Sequence, residues 1–396
     1  MTQTAAQTSA DWVPLLVPDM PTPQELAPWL ERMHAARHYS NFGPLVQELE
    51  AAFAQRFGQP LDHVTTVANA TLGLELVLQA LDLPPQARVL VPAFTFVATA
   101  TAVLRAGHVP VLADVDEQTW MLTPAIARAA CHATRVDAVL PVATFGMPHD
   151  MQAWRQFERD TGLPVVIDAA AGFGSQWLHG AGGTIVYSLH TTKSLPAGEG
   201  GLIVSTHPCL AARVRQLSNF GINLDPAASV PVGALASLGT NAKMSEYHAA
   251  IGLISLQKWK LSAQTRQALH ANLIHEINHA CGHRLVWQVE GPGGPLVAPT
   301  LLCARLPDSA TRAALEQACQ QARVATRRWY QPLLPHMEVL SRQCESLQTP
   351  QAQALAQTLL GLPFFPGMAP LQCQRVHRVL QQVLGGTDAI SMDASS

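Results

Sequence analysis

The sequence predicts an α/β fold in which a mainly parallel sheet is flanked by helices, followed by a smaller α+β domain. Short apolar runs at residues 109–113, 138–142 and 165–167 have the length of buried strands. They alternate with amphipathic stretches such as residues 151–160, which is the pattern of βαβ units. Polar groups that follow such strands are therefore expected at one edge of the sheet, where ligands bind.

The C-terminal part of the chain has a different pattern. A long helical periodicity begins near Ser245 and runs through Trp259 to Ile277, which predicts a helix that leads out of the large domain. Strand candidates follow at residues 296–298 and 301–304, as expected for a smaller α+β domain.

Composition predicts a soluble protein with a sizeable core. The chain has 396 residues, 48% of them hydrophobic, which is enough for two domains of ordinary size. A net charge of −3, with 25 basic and 28 acidic side chains, gives no reason to expect nucleic acid as a partner. The seven cysteines have no CxxC or zinc spacing, so reduced thiols are expected, and none of the 16 histidines is expected to bind a metal.

The termini carry no targeting pattern. Residues 1–10 are polar and lack the basic start and apolar stretch of a signal peptide, and no apolar run could span a bilayer. A cytoplasmic protein without a membrane partner is therefore expected. Residues 385–396 are small and polar, which predicts a frayed end.

The segment from 187 to 201 holds a lone lysine, Lys193, between a predicted strand and a glycine-rich turn. Lys193 lies 25 positions after Asp168, which ends an apolar strand run. An enzyme that uses pyridoxal 5'-phosphate (PLP) needs such a pair, because the amine forms a Schiff base with the cofactor and the carboxylate pairs with the pyridinium nitrogen. Taken singly, a solvated lysine and an aspartate that caps a turn are the more common interpretations.

A third element strengthens the PLP interpretation. Asn69 or Thr71 can cap a helix with apolar positions at 72, 74 and 76–78, and free N–H groups at such a start bind phosphate. The segment 89–99 then offers Phe94 and Phe96, one of which can lie flat on a pyridine ring. Without Lys193 and Asp168, a simple helix cap and two core phenylalanines would be preferred.

In this order and spacing, the elements resemble the DegT/DnrJ/EryC1/StrS group of sugar aminotransferases, which are fold-type I PLP enzymes. The similarity covers most of the chain. Its matching segments are 41–44, 69–71, 92–99, 145–148, 168–170, 188–201, 239–246, 326–330 and 362–367. This resemblance implies a large PLP-binding domain over residues 1–260 and a small C-terminal domain over 261–396.

The resemblance also implies roles for individual residues. Lys193 would form the Schiff base and shuttle the proton, Asp168 would pair with the ring nitrogen, and Phe96 would stack on the ring. The phosphate ligands would be the backbone at Ala70 and Thr71 and the Ser188 hydroxyl. The neighbouring subunit of a homodimer would contribute Asn241, so that the two active sites are shared.

Substrate contacts are expected from two segments. In similar enzymes the stretch that contains Arg327, Arg328 and Tyr330 helps to shape a sugar-nucleotide pocket, and arginine forks suit a diphosphate. Lys243, in the segment that carries Asn241, is a further candidate for substrate binding.

The sequence departs from the family pattern in two places. Ala171 stands where relatives often have Gln or His beside the cofactor ring, and residues 143–146 lack the His and Tyr that many relatives carry. The lysine is retained, whereas the dehydratase branch of the superfamily replaces it with histidine. This favours transamination.

The resemblance implies a ping-pong transaminase that moves an amino group from L-glutamate to a nucleotide-linked keto-deoxysugar, most often a 4-keto-6-deoxyhexose. Two alternatives stay open. One is an enzyme of the same fold that acts on a 3-keto sugar or on a ketone without a nucleotide. The other is a non-catalytic PLP-binding regulator.

Overall fold

The computed structural model describes residues 11–385. The expectations for residues 1–10 and for nearly all of the C-terminal end lie outside the described residues. The larger domain is built on a sheet whose strands are β1 (Val64–Val67), β2 (Arg88–Pro92), β3 (Val109–Ala113), β4 (Ala138–Val139), β5 (Val166–Asp168), β6 (Thr184–Ser188) and β7 (Gly201–Ser205).

The strands form two hydrogen-bonded groups, β1-β7-β6-β5 and β4-β2-β3-β10, in which β10 is Glu345–Ser346. Parallel bridges between Val139 and Val165 and between Val142 and Asp168 join β4 to β5, so the two groups make one continuous layer. Within the described part of this layer, only β7 runs antiparallel to its neighbours, β1 and β6. The predicted mainly parallel sheet is thus confirmed, and its strands β3, β5 and β6 are almost entirely buried, as predicted from their apolar runs.

Helices cover the sheet and build the second domain. They are α1 (Pro23–Ala36), α2 (Pro44–Phe57), α3 (Ala70–Ala80), α4 (Val97–Arg105), α5 (Pro124–Ala133), α6 (Met151–Thr161), α7 (Pro208–Ser218), α8 (Glu246–Cys281), α9 (Ser309–Gln321), α10 (Glu338–Ser341), α11 (Pro350–Thr358) and α12 (Pro370–Leu384). The predicted helix over 151–160 corresponds to α6. The long helix predicted from Ser245 corresponds to α8.

Local sequence sets where these helices start and stop. The Thr22 hydroxyl accepts the Glu25 N–H while the Glu25 carboxylate accepts the Thr22 N–H, a capping box at the start of α1. The Ser245 hydroxyl accepts the His248 N–H at the start of α8, and Gly282 ends that helix in the left-handed conformation. Side-chain caps of this kind each stabilise a helix by about 1 kcal/mol.

The smaller domain packs around an antiparallel sheet in the order β11-β9-β8, with β8 at Val286–Trp287, β9 at Leu302–Arg305 and β11 at Leu359–Leu362. Its core joins these strands to α9, α12 and the second half of α8 through buried residues such as Leu273, Ile277 and Leu380. The predicted strand over 301–304 is confirmed, shifted by one residue.

The predicted strand over 296–298 is wrong. This segment is a loop, in which the Val297 N–H donates to the Ser175 hydroxyl at 2.9 Å rather than to a neighbouring strand. The three consecutive apolar residues pack against the large domain, and they do not pair with a neighbouring strand. The domain boundary near residue 260 stays a prediction, and that residue lies inside α8, which continues without a break.

Among the described residues, no helix combines the length and the apolar character needed to cross a bilayer. The cytoplasmic location stays a prediction.

Candidate active site

Lys193 lies in a loop that closes on itself. The loop spans residues 189–200 and joins β6 to its antiparallel partner β7. The Leu189 N–H donates to the Gly200 carbonyl at 2.8 Å, and the Lys193 N–H donates to the His190 carbonyl at 2.9 Å. These bonds hold the partly buried Lys193 at the edge of the sheet, just past the end of β6.

Asp168 is the last residue of β5, the strand parallel to β6, so its carboxylate lies at the same edge as Lys193. The side chain is buried. One carboxylate oxygen accepts the Thr99 hydroxyl at 2.8 Å, and the other accepts the Ala170 N–H at 3.1 Å. A buried carboxylate is therefore held in one orientation by two donors.

Lys193 and Asp168 influence each other's ionisation. Burial raises the pKa of Asp168, while the hydrogen bonds from Thr99 and Ala170 and the charge of Lys193 oppose that rise. Burial lowers the pKa of Lys193, and the charge of Asp168 opposes that change. Desolvation therefore favours a neutral amine at Lys193, which is the form that attacks an aldehyde.

The start of α3 forms a cradle for an anion. Asn69, rather than Thr71, is the cap, since its side-chain oxygen accepts the Leu72 N–H at 2.9 Å. The N–H groups of Ala70 and Thr71 precede the first intrahelical bond and are free to bind a ligand. Gly201 allows β7 to lie close to the start of α3, because a side chain at that position would lie 2.8 Å from the Asn69 carbonyl oxygen.

Ser188 lies at the same edge as the cradle. It pairs with Gly201 across β6 and β7, and Gly201 pairs in turn with Val67 at the end of β1. Its hydroxyl oxygen accepts the His190 N–H at 3.3 Å, so the hydroxyl hydrogen stays available to an incoming anion. Sheet pairing thus places Ser188 and the start of α3 on one edge.

The two phenylalanines of the 89–99 segment have different surroundings. Phe94 is fully buried in the core, whereas Phe96, directly before α4, is 39% exposed. The ring of Phe96 lies 6.5 Å from that of Tyr330. Of the two, Phe96 has the face that a planar ligand can reach.

Tyr330 joins an aromatic cluster beside Asp168. Its ring stacks on Phe145 with centroids 5.6 Å apart and meets the edge of Phe94 at 5.1 Å. Burial raises the pKa of Tyr330, and the charge of Asp168 contributes to the rise. The structure therefore brings Tyr330 near Asp168, although the two are far apart in sequence.

The two departures from the family pattern lie against each other. Gly146 has a φ of +94°, and a side chain there would lie 2.6 Å from the Ala171 carbonyl oxygen. Phe145 also adopts a left-handed φ, of +56°, which turns its ring into the aromatic cluster. The small residue at 171 and the Phe145 ring are thus parts of one local packing arrangement.

The side chains of Arg327 and Arg328 have different surroundings. The Arg327 guanidinium lies 4.2 Å from the Trp329 ring centroid, and burial lowers its pKa. Arg328 makes a two-bond ion pair with Glu316 of α9, at 2.7 Å for both bonds, which raises its pKa. Arg328 also lines a groove of about 490 Å³ with residues of α11, and among the described residues its contacts do not include Asp168 or Lys193.

Asn241 and Lys243 border the cradle. The Lys243 ammonium donates to the Asn241 side-chain oxygen at 2.7 Å and lies 4.4 Å from the Phe220 ring centroid. Between them, the Ala242 carbonyl accepts the Ala68 N–H at 2.6 Å, next to the start of α3. Asn241 is exposed, so another chain can approach it.

Sequence reasoning missed Thr95, Thr99 and Phe145 as site residues. Thr95 and Thr99 are both 1% exposed and their hydroxyls lie 3.0 Å apart. The spacing of four residues between these threonines, at the start of a helix, was the sequence signal that could have identified them. Phe145 lay in a segment that matches the family and departs from it in part, but no side-chain role was assigned to it.

These groups fit PLP. An amine whose ionisation is suppressed by burial stands beside a buried carboxylate, and a cradle of free N–H groups lies at the same sheet edge. Lys193 would hold the aldehyde carbon, Asp168 the ring nitrogen, and Ala70, Thr71 and Ser188 the phosphate.

Comparisons with known proteins agree with this fit. The DegT/DnrJ/EryC1/StrS aminotransferase family matches residues 24–381. Among solved structures, DesI in the presence of its TDP-sugar product has a TM-score of 0.83 and 30% identity, over 94% of this chain and 93% of DesI.

Two further structures are similar over nearly their whole length. A protein of Bacillus cereus ATCC 10987 assigned as a PLP-dependent aminotransferase has a TM-score of 0.83 and 27% identity, over 95% of this chain and 100% of that one. DesV of S. venezuelae, in complex with a ketimine intermediate, has a TM-score of 0.77 and 25% identity, over 96% and 100%.

The fold and the family match together define a PLP-dependent transaminase, with the candidate site at the carboxyl edge of a mainly parallel sheet. The chain belongs to the DegT/DnrJ/EryC1/StrS aminotransferase family, whose pattern covers nearly all of its length.

Proposed function

We propose that this transaminase moves an amino group from L-glutamate to a nucleotide-linked keto-deoxysugar and so makes an amino sugar. The observation that carries the proposal is that Lys193 and Asp168 lie at the same sheet edge, close enough for their charges to interact, in a chain 30% identical to DesI, a protein solved with a TDP-sugar product. A 4-keto-6-deoxyhexose is the acceptor that the family resemblance favours.

The cofactor, when bound, supplies the aldehyde that receives the amino group and a ring that accepts electrons. Asp168 holds a negative charge against the ring nitrogen in a site that excludes water. The Lys193 amine would accept the proton from the substrate carbon and, as an ammonium, give it to the carbon that had been the aldehyde carbon, because burial favours the neutral amine that can accept it. Phe96 provides a flat apolar wall that fixes the ring plane.

Substrate recognition is proposed to involve Tyr330 and Arg327 from the small-domain side and Lys243 from the segment beside the cradle. Arg327 and Lys243 are cations whose pKa values are lowered by burial, and they suit the charges of a diphosphate. Arg328 is the weaker candidate, because Glu316 already occupies its guanidinium fork.

The amino-donor half-reaction can be tested by absorption spectroscopy of the PLP-loaded protein. Addition of L-glutamate is expected to remove the band of the lysine-bound cofactor and to produce the pyridoxamine form, because the amino group is transferred before any acceptor is present. D-Glutamate serves as the matched control and is expected to leave the band unchanged. A band that does not respond to L-glutamate would show that the donor is wrong or that turnover is absent, as in a PLP-binding regulator.

The acceptor is then identified by offering keto sugars to the pyridoxamine form. Recovery of the original band with a nucleotide-linked 4-keto sugar supports the proposal. Recovery only with a 3-keto sugar or with a ketone that lacks a nucleotide would favour the alternative substrates instead.

We also propose a homodimer in which each site uses the partner's Asn241. The loop before Asn241 exposes several large apolar side chains: Phe220, Leu224, Val232, Leu235 and Leu238, the last of them 88% exposed. Exposed apolar groups that are close in sequence are typical of a surface that another chain covers. This loop leads directly to the segment beside the start of α3.

Mixing two inactive variants tests whether the sites are shared. A heterodimer of Lys193→Ala and Asn241→Ala chains has one site with both wild-type groups, so statistical mixing is expected to restore about a quarter of wild-type activity. Mixing Lys193→Ala with Asp168→Asn is the control and is expected to restore none, because both groups come from the same chain. Equal results from the two mixtures would place Asn241 in its own chain's site.

A further inference from the structure

Two buried threonines form a hydrogen-bonded chain that ends on Asp168. The Thr95 and Thr99 hydroxyl oxygens lie 3.0 Å apart, and the Thr99 hydroxyl lies 2.8 Å from an Asp168 carboxylate oxygen. Both threonines are 1% exposed and Asp168 is 4% exposed, so water does not substitute for any of these bonds.

The direction of the chain follows from the chemistry of the groups. An ionised carboxylate only accepts, so Thr99 must donate its single hydroxyl hydrogen to Asp168. The Thr99 oxygen is then left as an acceptor, and the Thr95 hydroxyl must donate to it. Donors aligned in this way polarise one another, which strengthens the bond that reaches the charge.

We propose that Thr99 is a positioning residue that keeps Asp168 ionised and aimed at the cofactor nitrogen, and that Thr95 orients the Thr99 hydroxyl. This role deepens the proposed function and rests on the use of Asp168 as the partner of the ring nitrogen. Burial alone favours the neutral acid, which could not hold a proton on the ring.

Few other groups act on the carboxylate. Among the described residues, the charged or titratable groups that face Asp168 are Lys193 from the 189–200 loop and Tyr330 from the small-domain side. The amine of Lys193 is consumed when it forms a Schiff base with the cofactor. Thr99 and the Ala170 N–H then remain as the donors that stabilise the negative charge.

A double-mutant cycle on the cofactor-free protein tests the coupling directly. Thr99→Val keeps the shape and removes the hydroxyl, and its effect on the free energy of unfolding at pH 7 is compared in the wild-type protein and in the Asp168→Asn variant. We expect Thr99→Val to destabilise the wild-type protein clearly more than it destabilises the Asp168→Asn variant. Equal effects in both proteins would overturn the proposal, because a packing role does not depend on the charge.

The loaded protein gives a second readout. Thr99→Val is expected to weaken PLP binding and to lower kcat about tenfold. A tenfold change corresponds to the free energy that a hydrogen bond to a charged group contributes. Thr99→Ser, which retains the hydroxyl, should restore both, and Thr95→Val should have a smaller effect in the same direction.

Thr101→Val is the matched control, since Thr101 lies on the same helix and its hydroxyl donates to the Ala98 carbonyl at 3.1 Å. A loss in Thr101→Val equal to that in Thr99→Val, or no rescue by Thr99→Ser, would contradict the assignment. Because the cycle uses protein without cofactor, its outcome is independent of which sugar or donor the enzyme uses.

Discussion

Replacing Lys193 by alanine is expected to lower turnover by about 10⁴-fold or more, because the variant loses both the Schiff-base amine and the proton carrier. The fold should survive, since burial lowers the pKa of the lysine and its ammonium form is therefore poorly accommodated in the folded protein. Steady-state kinetics with L-glutamate and circular dichroism measure the two effects.

A covalent readout accompanies the kinetics. Borohydride reduction of the PLP-loaded wild-type protein should attach the cofactor irreversibly to the peptide that contains Lys193. Mass spectrometry identifies the labelled peptide. Lys258→Ala is the matched control, because Lys258 is half-exposed and pairs with Glu25 at 2.5 Å. If Lys193→Ala retained turnover within tenfold of wild type, or if the label lay on another lysine, the assignment of Lys193 would fail.

The Asp168→Asn change is expected to lower kcat by about a hundred- to a thousandfold, because an amide has no negative charge to keep the ring nitrogen protonated. The amide has nearly the shape of the carboxyl group, so the site should stay assembled. PLP affinity and kcat measured together distinguish this effect from simple loss of the cofactor.

We also expect the wild-type protein and the Asp168→Asn variant to differ in how the free energy of unfolding depends on pH. Burial raises the pKa of Asp168 above its ordinary value of 3.8, so the folded state binds this proton more tightly than the unfolded state does. Between the ordinary and the raised pKa, the unfolded state holds fewer protons, and the contribution of Asp168 to stability therefore falls as pH increases. The asparagine side chain does not titrate.

Denaturant unfolding of the cofactor-free proteins at several pH values from about 4 upwards tests this sign. The stability of wild type relative to Asp168→Asn should decrease as the pH rises. Asp160→Asn is the opposite control, since hydrogen bonds from Arg128 lower the pKa of the exposed Asp160. A relative stability that increased with pH at Asp168 would mean that its hydrogen bonds, rather than its burial, dominate.

Much of the fold was predictable because it depends on short-range pattern. The strand at Val109–Ala113 and the helix that begins after Ser245 could be located from an apolar run and from helical periodicity. The loop at 296–298 was mistaken for a strand, because a short apolar run shows burial but not the partner against which it packs.

The chemistry of the site was partly predictable for a related reason. Asp168 ends one of two neighbouring parallel strands and Lys193 follows the other, and the ends of such strands meet at one edge whatever the rest of the chain does. The role of the Asn69 turn follows in the same way, since the first N–H groups of any helix lack intrahelical partners.

The remaining contacts depend on how distant segments pack. Thr99 donates to a residue 69 positions away, Tyr330 comes from the small-domain side to stack on Phe145, and Arg328 turns to Glu316. Each of these depends on the direction of a side chain, which the neighbouring helices and strands impose.

By itself, then, the sequence determined the mainly parallel sheet and the lysine and carboxylate at its edge, and its resemblance to a family indicated transamination. Only the tertiary structure decided which threonine donates to Asp168, which phenylalanine stays exposed and that Arg328 is paired with Glu316. Periodicity and spacing in the sequence indicate where each residue lies within its own strand or helix. Hydrogen bonds between segments depend on distances of a few tenths of an ångström that only packing establishes.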